Sequence, residues 1–259
     1  MSTEAAEVKK GIVVMLDALG VRNLSSKEAK AFLNNRGKLL TQLGRKLEPL
    51  DSSAARVTET AGPPQFVTFQ DTILVTWEIR GPAHNLLPHI ANLLRRTIPL
   101  ALQNGLRLRG AVAVGEYIQD ENSVLGPAIA DAASWYEQAQ WIGIVATPHC
   151  GMQLDLLYET KFRRRRPHAL DPWYVQYEVP LKEGRRETLW AVSWPAQYRK
   201  KKYTLGSSDR GKFLRHVAKF SVPLGTESKY WNTITFFDWY DANIGDAPCE
   251  QEGGDEQKA

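Results

Sequence analysis

Residues 11–20 read GIVVMLDALG, and the run Ile12–Leu16 is apolar at every position. A strand exposed on one face alternates apolar and polar residues, whereas an unbroken apolar run belongs to a strand covered on both faces. Such a strand needs packed layers above and below its sheet. The run ends in Asp17, followed at once by Ala18-Leu19-Gly20. A carboxylate at the end of a buried strand, beside a glycine, either caps a turn or meets something outside the sheet.

The elements after it alternate. SSKEAKAFLNNRGKLLTQLGRKL opens with the capping box Ser25 and Glu28, and Ala29, Phe32, Leu33, Leu40 and Leu43 mark one face of a helix. GPP at 62–64 breaks the chain. QFVTFQDTILVTWEI then reads as two strands around a tight Gln70-Asp71 turn. AHNLLPHIANLLRRTIPLALQNG is a helix ending at Gly105, interrupted and bent by Pro88 and Pro99. LRLRGAVAVGEYI is a strand, GPAIADAASWYEQAQ an Ala-rich helix and WIGIVATP a short strand. WYVQYEVPL and ETLWAVSWP form a later hairpin, with a helix at KFLRHVAKFS and a short aromatic element at WNTITFFDWYD. The order predicts an α/β (α+β) fold, a ferredoxin-like palm with a mixed or antiparallel sheet flanked by helices. We expect one domain over residues 10–197, a C-terminal extension packed on it over 198–245, and a disordered acidic tail at 246–259.

The chain has 259 residues and a formal charge of +4, which suits an anionic small substrate as well as it suits nucleic acid. The basic run Arg163–Arg166 reads as a solvated loop that could steer nucleotide. No apolar stretch is long enough to span a bilayer, and the N-terminus MSTEAAEVKK lacks the apolar core of a secretory signal. Cys150 and Cys249 fit no metal spacing and read as free thiols of a cytoplasmic protein.

Asp17 ends a strand and Asp71 sits in a hairpin turn. In a palm-type sheet the first strand lies beside that hairpin, which brings strand end and turn to one edge. Each acid alone reads as a turn or cap residue. Two together repel unless a cation lies between them, and Mg²⁺ and Mn²⁺ prefer oxygen ligands completed by phosphates. Gly20 lets backbone amides face a triphosphate. Arg109 suits either a phosphate or a surface acid, and Lys182 reads as a solvated hairpin lysine. Trp141 reads as core or dimer packing.

VVMLDALGV resembles the first metal motif of class III nucleotide cyclases, and FVTFQDTILVTW their second. LRLRGAVAVGE is similar to their arginine-led strand ending in Gly-Glu, and GPAIADAASWYEQAQWIGIVATP to their dimer-arm strand, helix and next strand. The likeness spans about residues 10–195. It implies a homodimer with each site at the interface. It also implies two divalent cations, Mn²⁺ or Mg²⁺, held by Asp17, the Ala18 carbonyl and Asp71. Leu19, Gly20, Val21 and Arg22 would line the triphosphate, with Arg109 and Lys182 on phosphate.

The pattern departs from the purine cyclases at the base-reading positions. Val67 stands where adenylate cyclases carry a lysine, Ser123 where they carry an aspartate, and neither matches the pair of guanylate cyclases. Ala130 and Ser134 occupy the positions of the family's transition-state Asn and Arg. Metal acids kept and purine readers lost resemble the pyrimidine cyclases of bacterial Pycsar anti-phage systems, through LDALG, RGAVAVGE and EQAQWIG. That resemblance implies a cyclic pyrimidine nucleotide acting on a separate effector, with neither membrane nor nucleic acid as partner. Thr68 and Ser123 hydroxyls suit uracil or cytosine. The absence of a carboxylate at the reading positions, with cations nearby, favours UTP and cyclic UMP over CTP and cyclic CMP. A purine cyclase with an altered pocket, a non-enzymatic cyclase-like module that binds nucleotide or a partner, and a nucleic-acid-binding protein using the Arg163–Arg166 run are the rival readings.

Overall fold

The computed structural model describes residues 7–21, 24–44, 61–83, 86–120, 123–159, 173–199 and 209–244. Arg22, the Arg163–Arg166 run, Cys249 and the acidic tail lie outside them. The strands are β1 (Val8–Ala18), β2 (Gln65–Phe69), β3 (Thr72–Glu78), β4 (Leu108–Gln119), β5 (Val124–Leu125), β6 (Gly143–Ala146), β7 (Tyr174–Pro180) and β8 (Arg186–Val192). The helices are α1 (Ser26–Gly44), α2 (Leu87–Gln103), α3 (Pro127–Gln138), α4 (Pro148–Leu157), α5 (Arg210–Val217) and α6 (Glu227–Asn243).

The sheet runs β2-β3-β1-β4-β6-β8-β7, with β5 added to the end of β4. Its first four strands follow the ferredoxin-like order, each antiparallel to its neighbour, while β6 runs parallel to β4. The sheet is therefore mixed, and helices flank it as the alternating elements require. Ile12, Val13, Val14 and Leu16 are fully buried, because β1 lies between β3 and β4 with both faces covered.

Local chemistry sets the boundaries. The Ser25 hydroxyl and amide both donate to the Glu28 carboxylate, at 2.6 and 2.8 Å, and the Glu28 amide donates back to Ser25 at 3.4 Å, closing the capping box. Gly105 lies beyond the end of α2 with φ +77°. Two expectations are corrected here. Pro88 does not interrupt α2: the helix begins at Leu87, so this proline lies in the first turn, where its missing N–H has no partner to lose. Pro99 alone lies inside the helix. The first strand extends to Ala18, so Asp17 is a strand residue, opposite Thr72 on one side and Arg109 on the other.

The aromatic segment after Thr226 is a full helix rather than a short element. Tyr230, Thr233, Phe236, Phe237 and Tyr240 of α6 are buried. Phe237 stacks on Phe213 of α5 at 4.3 Å, and Trp194 lies 5.5 Å from Phe213. Phe236 meets Trp141 edge-on at 4.7 Å, and Trp141 stacks on Tyr177 of β7 at 5.6 Å. Trp141 is thus a core residue, not a surface for a partner. The two C-terminal helices share one aromatic core with the sheet.

Candidate active site

β1 carries Asp17 to the end of the sheet where the β2–β3 turn presents Asp71. The Ala18 amide donates to the Asp71 carbonyl at 3.1 Å, which locks strand end and turn together. Arg36 of α1 donates to the Gln70 carbonyl and holds the turn from outside. Gln70 sits at φ 49°, the left-handed region a tight hairpin turn demands. The predicted meeting of the two acids is what the main chain enforces.

Asp17 is buried, and desolvation pushes its carboxyl pKa up. The Asp71 carboxylate adds to that rise, so the two acids feel each other. Against it act the hydrogen bond and charge of Arg109 and the charge of Lys229. Arg109 Nε donates to Asp17 Oδ2 at 2.9 Å, and its Nη1 to the Glu137 carbonyl at 3.1 Å. Arg109 therefore engages an acid, but that acid is the buried Asp17 and not one on the surface. The guanidinium also lies over the Tyr136 ring, 5.5 Å from its centre. Burial raises the Tyr136 phenol, and the Asp17 and Glu137 charges raise it further.

The turn after β1 behaves as its glycine suggests. Gly20 has φ +79°, and a Cβ there would collide with the Arg107 guanidinium. The Leu19 amide donates to the Arg107 carbonyl at 2.8 Å. A cavity of about 200 Å³ lies behind this turn, between Ala18–Val21, the α1 residues Glu28, Phe32 and Asn35, and Arg107. Asp17 and Asp71 are not part of its wall.

Val67 and Thr68 lie on β2 opposite Leu74 and Ile73, close to the Asp17 end. Val67 is half-buried against the core and Thr68 is exposed. Lys182 is exposed in the β7–β8 turn. That turn reaches the start of β6, where the Gln140 amide donates to the Pro180 carbonyl at 2.9 Å and Arg185 meets Gln138 at 3.3 Å. Ser123 is exposed beyond the other end of β4, its amide held by Asp120 at 2.7 Å. Because β4 rises about 3.3 Å per residue, Arg109 and Gln119 stand roughly 30 Å apart along it. Within one chain, Ser123 is not brought to Asp17. Ala130 and Ser134 lie one turn apart on the exposed side of α3, the Ser134 hydroxyl donating to the Ala130 carbonyl at 2.5 Å.

Four residues at this edge escaped sequence reasoning: Arg107, Tyr136, Lys229 and Tyr230. Arg107 lies in the same LRLR stretch as Arg109, and alternation along the strand is the signal that would have singled it out. Lys229 and Tyr230 depend on how the last helix folds back, which no local pattern states.

No family model and no curated protein matches the sequence. Solved structures similar in shape include the catalytic core of a rhodopsin-guanylyl cyclase with converted specificity, in complex with ATPαS. It shares 13% identity, covering 73% of this chain and 98% of that one, with a TM-score of 0.44. An adenylate/guanylate cyclase/hydrolase from Silicibacter pomeroyi shares 15% identity over 72% of this chain and 98% of its own, at a TM-score of 0.40. The guanylyl cyclase Cya2 shares 13% identity over 73% and 93%, at 0.35.

Proposed function

We propose that the chain is a homodimeric pyrimidine nucleotide cyclase converting UTP to cyclic UMP and pyrophosphate. The observation that carries this reading is the enforced meeting of Asp17 and Asp71 beside the Gly20 turn, at an edge furnished with Arg107, Arg109 and Lys229. Two hard oxygen donors next to several cations make a complement for a metal–triphosphate, with negative charge at its phosphates and positive charge at its ions.

The donor set fits Mg²⁺ or Mn²⁺. Asp17, Asp71 and the Ala18 carbonyl would hold two ions, since two carboxylates at one edge are the electrostatic complement of a cation. When bound, the ions lower the pKa of the ribose 3′-hydroxyl and neutralise charge on the departing pyrophosphate. The 3′ oxygen then attacks the α-phosphorus in line, its proton passes to solvent, and the bond to the β-phosphate breaks. Gly20 opens the main-chain approach to the phosphates. Arg109, now neutralising Asp17, gains a second anionic partner when a phosphate arrives, which supports a positioning role.

Residue identity and placement support the reading of base and partner. Val67 offers no hydrogen bond, and Ser123 lies at the far end of the strand, so a site using both draws one from a second copy. A two-fold pair that matches one chain's Asp17 edge to the other's Ser123 edge supplies that geometry. Val67 in place of a lysine and Ser123 in place of an aspartate support a pyrimidine. Signalling in phage defence through an effector is supported by the resemblance to Pycsar cyclases alone.

A second reading, a nucleotide-binding module without turnover, is favoured by the Asp17–Arg109 ion pair and by Ala130 and Ser134 on the exposed side of α3. Phosphorus NMR of the protein with UTP and Mn²⁺ separates the two. Equal amounts of cyclic diester and pyrophosphate support the cyclase. Unchanged UTP at saturating protein supports the module.

A further inference from the structure

Helix α6 folds back onto the sheet end that holds Asp17. The Ile142 amide donates to Thr233 Oγ1 at 2.8 Å, and Asn232 donates to the Gln140 carbonyl at 2.7 Å. One turn earlier, Tyr230 Oη accepts from Arg107 Nη1 at 2.6 Å. These contacts fix the first turns of α6 beside the starts of β4 and β6. Lys229 shares the helix face of Asn232 and Thr233. Its neighbours Asn232 and Thr233 hold the Gln140–Ile142 stretch that leads into β6, β6 pairs Gly143 with Arg109, and Arg109 pairs with Asp17, so this anchored turn sits at the Asp17 end of the sheet.

Arg107 is the more informative neighbour. Its guanidinium contacts the Tyr230 hydroxyl, the Ser221 carbonyl at 3.4 Å and the Phe220 ring at 4.9 Å, and it presses against Gly20. Its Nε is buried without a hydrogen-bond partner among the described residues. None of these contacts is an acid. A partly desolvated cation without a carboxylate is costly unless an anion completes it. Among the described residues, the hydroxyl, carbonyl and ring that receive this guanidinium come from the C-terminal segment, outside the stretch that carries the cyclase-like motifs.

We propose, resting on the nucleotide-site reading above, that the C-terminal helix is part of the triphosphate site. Lys229 supplies a phosphate-binding cation beside Asp17. Arg107, clamped by Tyr230 beneath Gly20, is the positioning residue that holds the turn in its phosphate-accepting shape and adds positive charge behind it. A salt-bridge role for Lys229 alone would not require a second, acid-free cation under the same turn.

Inorganic tripolyphosphate with saturating Mn²⁺, titrated calorimetrically into the full chain, tests this without base or turnover. Removing one charge-assisted contact predicts about tenfold to hundredfold weaker binding in Lys229→Met. Lys229→Arg is expected to bind within about threefold of wild type, since the charge is kept. Tyr230→Phe frees Arg107 and is expected to weaken binding several-fold and to raise KM for UTP more than it lowers kcat. If Lys229→Met melts early, Lys229→Gln removes the same charge while keeping a polar end. Wild-type affinity in a folded Lys229→Met or Lys229→Gln overturns the inference, as does a wild-type chain that does not bind tripolyphosphate. Lys229-dependent binding without cyclisation of any nucleoside triphosphate keeps the inference and rejects the cyclase. Cyclisation of UTP with unchanged affinity in Lys229→Met does the reverse.

Discussion

At the scale of residues, Asp17 combines opposed demands. It is a buried anion, raised by desolvation and by Asp71, and it is held by Arg109 at 2.9 Å. A carboxyl whose folded pKa stands above its unfolded value favours the protonated form in the fold. Its contribution to stability is present below the ordinary Asp range near 3.9 and is lost as pH rises through the raised value. At neutral pH wild type therefore carries a penalty that Asp17→Asn removes. We expect Asp17→Asn to melt above wild type at pH 7–8, with the difference shrinking toward about pH 4, as calorimetry across pH would record. The same variant, and Asp71→Asn, should lose turnover by about 10³-fold or more, because each removes a metal ligand and no core volume. Full activity in either sinks the metal assignment. Gly20→Ala should cost about 1 kcal/mol from its left-handed φ alone. Its added contact with Arg107 should also weaken nucleotide binding, readable as a lower melting temperature and a higher KM.

Among the elements, the legible ones carry their signal locally. The Ser25–Glu28 capping box and the alternation around Gln70-Asp71 gave a helix and a hairpin that the structure contains. The meeting of Asp17 with Asp71 followed from strand order, which a ferredoxin-like arrangement dictates. Helix α4 was missed although Thr147 and Pro148 mark its start, the Thr147 hydroxyl accepting from the Cys150 amide at 3.4 Å. The length of α6 was hidden because exposed Trp231 and half-buried Trp239 blur a stripe that Tyr230, Thr233, Phe237 and Tyr240 otherwise draw. The Arg107–Tyr230 pair joins residues far apart in the chain, so only folding reveals it. Helix α5 also carries a titrating group: His216 Nδ1 lies 3.0 Å from the hydroxyl of Tyr198, which stands before the helix. Burial holds its pKa below the usual histidine range, helped by Lys219, Lys212 and Arg215. Stability from this group is present above about pH 6.5 and is lost as pH falls toward the depressed folded value. Acidification from pH 7 to about 5.5 should therefore lower the melting temperature of wild type more than that of His216→Gln, and equal slopes would remove His216 from the account.

For the whole molecule, the two halves of the proposed site lie toward opposite ends of β4, roughly 30 Å apart on one chain, and the proposed dimer would complete each site with a second copy. Asp17→Asn and Ser123→Trp should each be inactive alone, the second by blocking its partner's site. Co-expressed, they should recover about a quarter of wild-type activity, since half of the random dimers carry one intact site of two. No recovery would place the whole site within one chain. No helix among the described residues is long and apolar enough to cross a membrane. The most direct measurement of the central claim is competition. An equal mixture of UTP, CTP, ATP and GTP is incubated with the protein and Mn²⁺, with Asp17→Asn as the blank, and the products are identified by mass spectrometry. The account predicts cyclic UMP as the dominant product, at tenfold or more over cyclic CMP, and none in the blank. Dominant cyclic CMP would reverse the base and keep the pyrimidine class. Dominant cyclic AMP or cyclic GMP, or no cyclic nucleotide at all, would contradict it.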